Sequence, residues 1–361
     1  YFKIDYFFQW GTPEDYNEFL YNLDEVNNVS DKKKIDLNGI NLLIPAGGEG
    51  KRFKEENYKT EKIFLDVGGK PLISNIISSF KNQESTSILI TKNNQDSLKT
   101  LNLINSEEIM TISEKTNDQA HSGMKLVEKI DNDLPILIHS ADCILEKDIE
   151  LNITDYDVGV ITKKNYRRAF FKFENYGWVN SDDGNITSFS IKEKPHSKNS
   201  NVITGIFLFK NKNIYKKLFQ DTLERLNNLN SEIHIDYLIQ TAMIQNMKVK
   251  EISTNKTVMI GTPVEYELYK YMYNVNNYLN SSQSSEVIID KMPLNIIYIA
   301  EIQKIFPQAK FIISLRHPCD CVLSSFIQNF KLNDSMSNFL TLEDTAYVYD
   351  LVMRLFKIYI H

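Results

Sequence analysis

One short stretch limits what this chain can become: Leu42-Leu43-Ile44-Pro45-Ala46-Gly47-Gly48-Glu49-Gly50-Lys51-Arg52-Phe53, followed by Lys62 and then by Gly69-Lys70-Pro71. An apolar run that breaks into small residues and then basic ones reads as a buried strand feeding a tight, anion-facing turn. Glycines let the backbone approach an anion closely, and successive N–H groups in such a turn form a concave anion site. Arg52 and Lys62 add fixed positive charge where a triphosphate would lie. The spacing is not that of a Walker A loop, G-x-x-x-x-G-K-[ST], and the stretch lacks the G-x-G-x-x-G of a dinucleotide fold.

The chain has 361 residues, room for about two domains. A net charge of −6 argues against a protein that binds nucleic acid through its bulk field. The three cysteines, Cys143, Cys319 and Cys321, lack metal-ligand spacing and suit a reducing compartment. No run approaches the ~18 apolar residues of a membrane span, and no secretory leader opens the chain. The expected location is cytoplasmic, with no membrane span and no nucleic-acid partner. The first methionine is Met110, beyond the glycine-rich turn, so the chain reads as a piece of a longer polypeptide.

Apolar runs at Asn41–Ala46, Ser87–Thr91, Pro135–His139 and Val158–Thr162 read as buried strands, with helix-like stretches such as Ile73–Lys81 and Gly123–Ile130 between them. That alternation points to parallel βαβ units. From Ala169 to Lys210 the pattern turns hairpin-like, with a turn signal at Asp182-Asp183-Gly184 and a strand at Val202–Lys210. Gly11-Thr12-Pro13-Glu14-Asp15-Tyr16 recurs as Gly261-Thr262-Pro263-Val264-Glu265-Tyr266, which suggests duplicated domains. Residues 276–286 lie in a Ser/Asn-rich linker. Beyond it, Pro293–Phe306 reads as a helix, Lys310–Leu315 as a strand, and Asp320–Phe330 as a helix. Thr341-Leu342-Glu343-Asp344 carries a capping signal for a last amphipathic helix.

The glycine turn, Arg52, Lys62 and Gly69-Lys70-Pro71 together resemble the signature of the sugar-1-phosphate nucleotidyltransferases. That resemblance implies a Rossmann-like (GT-A-like) α/β domain over residues 38–275, with a mixed, mostly parallel sheet. Residues 1–37 are then the tail of a preceding copy. It also implies a reaction in which a sugar-1-phosphate attacks the α-phosphorus of an NTP and expels pyrophosphate, usually with Mg²⁺. The nucleotide would lie against Ala46, Gly47, Gly48, Glu49, Gly50 and Lys51, with Gln119 and Ala120 reading the base. Arg52 would hold the β- and γ-phosphates, and Lys62 would sit near the α-phosphate, although Glu61 stands where the family has proline. Asp142, at the end of a buried-type strand, matches the metal aspartate. Gly177, Glu193, Lys194 and Gly205 match the positions that face the sugar and its phosphate. The family's second metal aspartate falls on Met259 here, and on Gln9 in the first echo.

Residues 287–361 resemble the C-terminal part of PAPS-dependent sulfotransferases, a partial P-loop-like α/β unit, through Asp290-Lys291-Met292-Pro293 and Arg316-His317-Pro318-x-Asp320 with Ser324. The resemblance implies that Arg316 and Ser324 hold the cofactor's 3′-phosphate. The loop for the 5′-phosphosulfate has no counterpart upstream. Three functions follow: nucleotidyl transfer, sulfotransfer by the C-terminal unit, or a non-catalytic module that binds nucleotide or sugar phosphate. The sequence leaves open which NTP and which phosphate it uses, and whether it forms a homo-oligomer. His121, His139 and His234 show no ligand spacing and read as structural or surface residues.

Overall fold

The predicted apolar runs do pair as strands, and they join one sheet. A computed structural model describes residues 34–48, 50–91, 94–95, 109–112, 116, 118–145, 149, 151–164, 166–197, 199–226, 232–255, 257–280, 295–328 and 336–359. The chain divides into two compact units between Ser282 and Gln283. The expectations for residues 1–33, for Glu49, for Asp290–Pro293 and for most of the linker lie outside the described residues.

The main sheet of the first unit comprises β1 (Asn41–Pro45), β2 (Ser85–Thr91), β3 (Ile109–Ile112), β4 (Ile136–His139), β5 (Val158–Lys163), β6 (Gly177–Asp182), β7 (Asn185–Ile191), β8 (Asn201–Phe209) and β9 (Val249–Thr254). Across the sheet they run β5-β9-β7-β6-β8-β4-β1-β2-β3, and β5 also pairs with β8. β1 is parallel to β2 and β4, and β2 to β3. β8 joins β4 antiparallel and opens a second half in which only β5 and β9 are parallel. Every residue of β1 is buried. Leu42 and Ile44 pack on one face with Ile88 and Leu137, and Leu43 on the other with Leu89 and Ile138. Two covered faces explain why the run reads as continuously apolar instead of alternating.

Parallel neighbours need a crossover, and helices supply it. Short α1 (Lys51–Glu55) and α2 (Leu72–Ser78) follow β1, and α3 (Gln119–Val127) precedes β4. The Asp118 side chain accepts from the His121 N–H at 2.9 Å and caps α3. α4 (Lys212–Leu226) and α5 (Ile235–Ile244) cover the second face through Tyr215, Leu218, Leu238 and Ile239. α6 (Pro263–Asn280) closes the unit. The predicted turn joins β6 to β7, with Asp183 at φ 47° and Gly184 at φ 76°, the left-handed pair that a two-residue hairpin requires.

The second unit holds a 3-10 turn at Asn295–Tyr298, α7 (Ile299–Ile305), α8 (Pro318–Ile327), another 3-10 turn at Met336–Phe339 and α9 (Leu342–Tyr359). The predicted cap forms: Thr341 Oγ1 accepts from the Asp344 N–H at 3.0 Å. The strand expected at Lys310–Leu315 does not. The segment takes no regular secondary structure, and Ile312 is 98% exposed. An isolated strand has no ladder to join, and no strand occurs among the described residues of this unit. Leu315, Leu323, Ile327, Leu351 and Ile358 are also exposed. No described helix is long and apolar enough to cross a membrane.

Gly205 is where the sheet shapes the crevice. It sits inside β8 at φ 81°, its carbonyl accepts from the Ser140 N–H at 3.0 Å, and a Cβ there would lie 3.1 Å from Ser140 Cβ and 3.4 Å from Asp142 Oδ2. Gly205→Ala combines a left-handed strain with a steric one. It should lower unfolding stability by about 2 kcal/mol or more in a urea titration. An unchanged midpoint would contradict this close packing.

Candidate active site

Four chain segments meet beyond the carboxyl end of β1. The chain leaves β1 with the Ala46 N–H donating to Leu89 O at 2.9 Å. Gly47 packs tightly, since a Cβ would lie 2.9 Å from Ile112 Cδ1, whereas Gly48 opens onto free space. Gly50 takes φ 60° and starts α1, with its carbonyl accepting from the Phe53 N–H at 2.9 Å. The turn thus offers backbone at an open face and sends Arg52, exposed on α1, toward the crevice. The Arg52 charge reaches Asp142, Tyr176 and Lys192.

Lys62 opens a 3-10 turn and forms an ion pair with Asp142 Oδ1; the two side chains are 15% and 39% exposed. Asp142 follows β4 after Ala141, which takes φ 59°. Its carbonyl accepts from the Ile260 N–H at 2.7 Å, so the late Gly261-Thr262 turn lies beside it. Burial pushes the Asp142 carboxyl up, but the Lys62 ammonium outweighs that. With Ser140 and Arg52 adding to it, the pair holds the carboxyl below the usual carboxylate range. His139, inside β4, is driven down to about 4 by burial and by Lys62, against the pull of Asp142. It is a neutral core side chain at ordinary pH and not a ligand.

The structure places the remaining sequence candidates unevenly. Lys51 Nζ lies 3.1 Å from Glu232 Oε1, at the surface. Ala120 is fully buried, and its N–H donates to Ile233 O at 3.1 Å; Gln119 Oε1 accepts from the Ile235 N–H at 3.4 Å. Both are engaged in docking the chain just before α5. Gly177 opens β6 with its Cα turned toward Asp236: a Cβ would lie 3.4 Å from Asp236 Oδ1. Glu193 and Lys194 are exposed beyond β7. The preceding Lys192 is exposed as well, at φ 55°, its N–H donating to Tyr176 O at 3.0 Å. Lys192 Nζ lies 2.7 Å from His234 Nε2. Burial, then the Lys192 charge, lower the His234 pKa, so its neutral ring accepts from the ammonium. Arg316 and Ser324, in the second unit, are both exposed, Arg316 just before α8 and Ser324 on it.

Sequence reading missed Lys192, Asp236 and Glu265. Asp236 carried a weak signal, an acidic residue opening an apolar helical run after Glu232-Ile233-His234. Glu265 was legible only as part of the Gly-Thr-Pro echo. In the structure Glu265 Oε1 accepts from Tyr166 Oη at 2.9 Å and Tyr176 Oη at 2.7 Å, while Oε2 accepts from the Thr262 N–H at 2.8 Å. It ties the late turn to the residue before Gly177.

Among the described residues no group of three or more His, Cys, Asp or Glu side chains could enclose a metal ion. Met259, at the position of the family's second metal carboxylate, is buried. Asp142 alone can serve Mg²⁺ as a single carboxylate, and Mg²⁺ commonly takes one or two carboxylates and completes its shell with water and substrate phosphate.

Known proteins point the same way. A family model described as Nucleotidyl transferase matches residues 42–256, well over half of the chain. A second, described as Sulfotransferase family, matches residues 236–358. A nucleoside-diphosphate-sugar pyrophosphorylase from Vibrio cholerae RC9 aligns with 63% of this chain and 98% of its own at 16% identity, TM-score 0.53. A Bacillus anthracis protein assigned as a glucose-1-phosphate thymidylyltransferase, solved with sucrose, aligns with 70% and 98% at 16% identity, TM-score 0.50. A comparison with curated proteins returns no match. Identity this low shows a shared fold and nothing finer. The match over residues 42–256, on a Rossmann-like α/β fold, makes this chain a member of the nucleotidyl transferase family.

Proposed function

We propose that this chain condenses an NTP with a sugar-1-phosphate or related phospho-compound, releasing pyrophosphate. The observation that carries the reading is the crevice in which the open glycine turn, Arg52, Lys62 and Asp142 converge. A phosphate oxygen of the acceptor attacks the α-phosphorus, the new P–O bond forms, and the bond to the β-phosphate oxygen breaks. Such a reaction needs placement and charge neutralisation more than covalent help from the protein.

Backbone N–H groups of the turn would cradle the triphosphate, and Arg52 would neutralise the pyrophosphate as it leaves. Lys62 pairs with Asp142 while no phosphate is present; an incoming α-phosphate competes for the ammonium and frees the carboxylate. Mg²⁺ held by Asp142 would supply charge neutralisation across the phosphates. With an NTP as substrate and its three cysteines free among the described residues, the reaction is taken to be cytoplasmic. Sulfotransfer by the second unit is the weaker reading, because Arg316 and Ser324 are exposed and no strand occurs among the described residues of that unit.

Purified chain, screened with the four common NTPs against sugar-1-phosphates and phosphocholine, should release pyrophosphate in a Mg²⁺-dependent way. Arg52→Ala should slow the productive pair by on the order of 10²-fold, the scale of losing one transition-state charge contact. An unchanged rate removes Arg52 from the mechanism. The same chain given ³⁵S-labelled PAPS should transfer no sulfate to any acceptor, since one phosphate anchor leaves the reacting end of the donor unaligned. Transfer above a no-enzyme control would reverse that assignment.

A further inference from the structure

Lys62 sits in a segment that one helix holds from both sides. Four residues before it, the Tyr58 hydroxyl donates to Glu267 Oε1 of α6. Four residues after it, the Asp66 carbonyl accepts from Tyr266 Oη, also of α6, at 3.0 Å. Adjacent residues of one helix therefore fix both ends of the segment that carries the ammonium. Burial first, and then Glu267, push the Tyr58 phenol's pKa up, so the hydroxyl keeps its proton and donates. Lys270, on the next turn of α6, donates to both Glu267 oxygens at 3.1 Å and lies 5.3 Å from the Tyr266 ring centroid. It steers the carboxylate that receives Tyr58.

Ring packing locks the same junction. Buried Phe53, next to Arg52 on α1, meets the Tyr58 ring edge-on at 5.3 Å and the Tyr266 ring at 6.3 Å, and the two tyrosine rings stand 5.9 Å apart. The other half of the ion pair is tied to the lead-in of the same helix. Just ahead of α6, Thr257–Met259 pairs antiparallel with Cys143–Leu145, and the Ile260 N–H donates to the Asp142 carbonyl at 2.7 Å. Lys62 and Asp142 are 80 residues apart in sequence, yet each is anchored on α6 or on the residues leading into it. A lysine ammonium rides on a flexible four-carbon stem, so it is placed no better than the backbone beneath it.

Resting on the reading under Proposed function for its catalytic consequence, we infer that Tyr58 and Glu267 are positioning residues. Their hydrogen bond sets the backbone under Lys62, so that the ammonium meets Asp142 in the free protein and the α-phosphate during the reaction. Neither side chain touches the reacting atoms. α6 is the element that registers one half of the site against the other.

The experiment compares Tyr58→Phe, which removes one hydroxyl and keeps the ring, with Glu267→Gln, which keeps an acceptor for that hydroxyl. Reductive methylation of the full chain with formaldehyde and a hydride donor, read lysine by lysine by mass spectrometry, reports how often Lys62 leaves its partner. Tyr58→Phe should speed labelling of Lys62 by about tenfold, the worth of one hydrogen bond to a charged group. Labelling of Lys163, fully buried in the same unit, should stay within about twofold. A merely structural loss would raise both lysines together. Glu267→Gln should label Lys62 at close to the unsubstituted rate. With a productive substrate pair, Tyr58→Phe should lower kcat by about tenfold and leave both KM values within about twofold. Added to Lys62→Met it should cost nothing further, because a residue that acts through Lys62 then has nothing to place. Should Tyr58→Phe fail to fold, Glu267→Ala replaces it in every arm. An unchanged Lys62 labelling rate, equal acceleration at Lys163, or a full extra loss on top of Lys62→Met overturns this inference alone. A full chain that turns over no NTP overturns the proposed function, and the Lys62-to-Lys163 labelling ratio still decides whether α6 holds Lys62.

Discussion

The Lys62–Asp142 ion pair is the contact on which the crevice depends. It joins the segment after the glycine turn to the end of β4. Partly buried charges pay a desolvation cost that their attraction recovers only in good geometry, and breaking such a pair from one side leaves an uncompensated charge. The depressed Asp142 carboxyl shows which term prevails here. The same pair also suits a site awaiting substrate: a triphosphate offers Lys62 a stronger partner, and the freed carboxylate suits a cation. In the proposed reaction that one interaction orders the free protein and would be exchanged for phosphate and cation on binding.

Behind the crevice a second polar network sets the position of Gly177. Thr262 and Glu265 cap α6 reciprocally, the Glu265 N–H donating to Thr262 Oγ1 at 3.3 Å while Glu265 Oε2 accepts from Thr262. The other Glu265 oxygen takes two tyrosine hydroxyls, and one of them, from Tyr176, immediately precedes Gly177. Buried Lys163 lies 4.8 Å from the Tyr166 ring centroid and donates to Thr257 O at 2.5 Å. Buried charges tolerated in this way carry several hydrogen bonds each. The Gly-Thr-Pro turn, which the sequence presents only as an echo, is therefore a strut between α6 and the start of β6.

The two family matches overlap over residues 236–256. In the structure that overlap belongs to the first unit: Leu238, Ile239 and Ala242 of α5 and Val249 of β9 are buried in its second core layer. What the sulfotransferase match retains for itself is the helical second unit, whose Arg316-His317-Pro318 element survives as an N-terminal proline start to α8. The element keeps its local structure because caps and proline act within a few residues, and no strand pairs with it among the described residues.

Local chemistry determined much of this protein from the sequence alone. Buried runs of apolar residues became β1, β2, β4 and β5, the Asp183-Gly184 pair became a hairpin turn, and Thr341 became a helix cap, because each depends on neighbours in sequence. Arg52, Lys62 and Asp142 were singled out by their resemblance to a family motif, and the fold brings Lys62 and Asp142 together. Tertiary structure alone decided that Gln119 and Ala120 hold the chain before α5, that Lys192 takes a left-handed backbone and meets His234, and that Asp236 lies beside Gly177. Those outcomes rest on a left-handed residue at the end of β7 and on where α5 docks, contacts made between segments far apart in the chain. Lys310–Leu315 marks the limit: its sequence reads as a strand, but a strand exists only where another offers it a ladder, and that is a property of the whole fold.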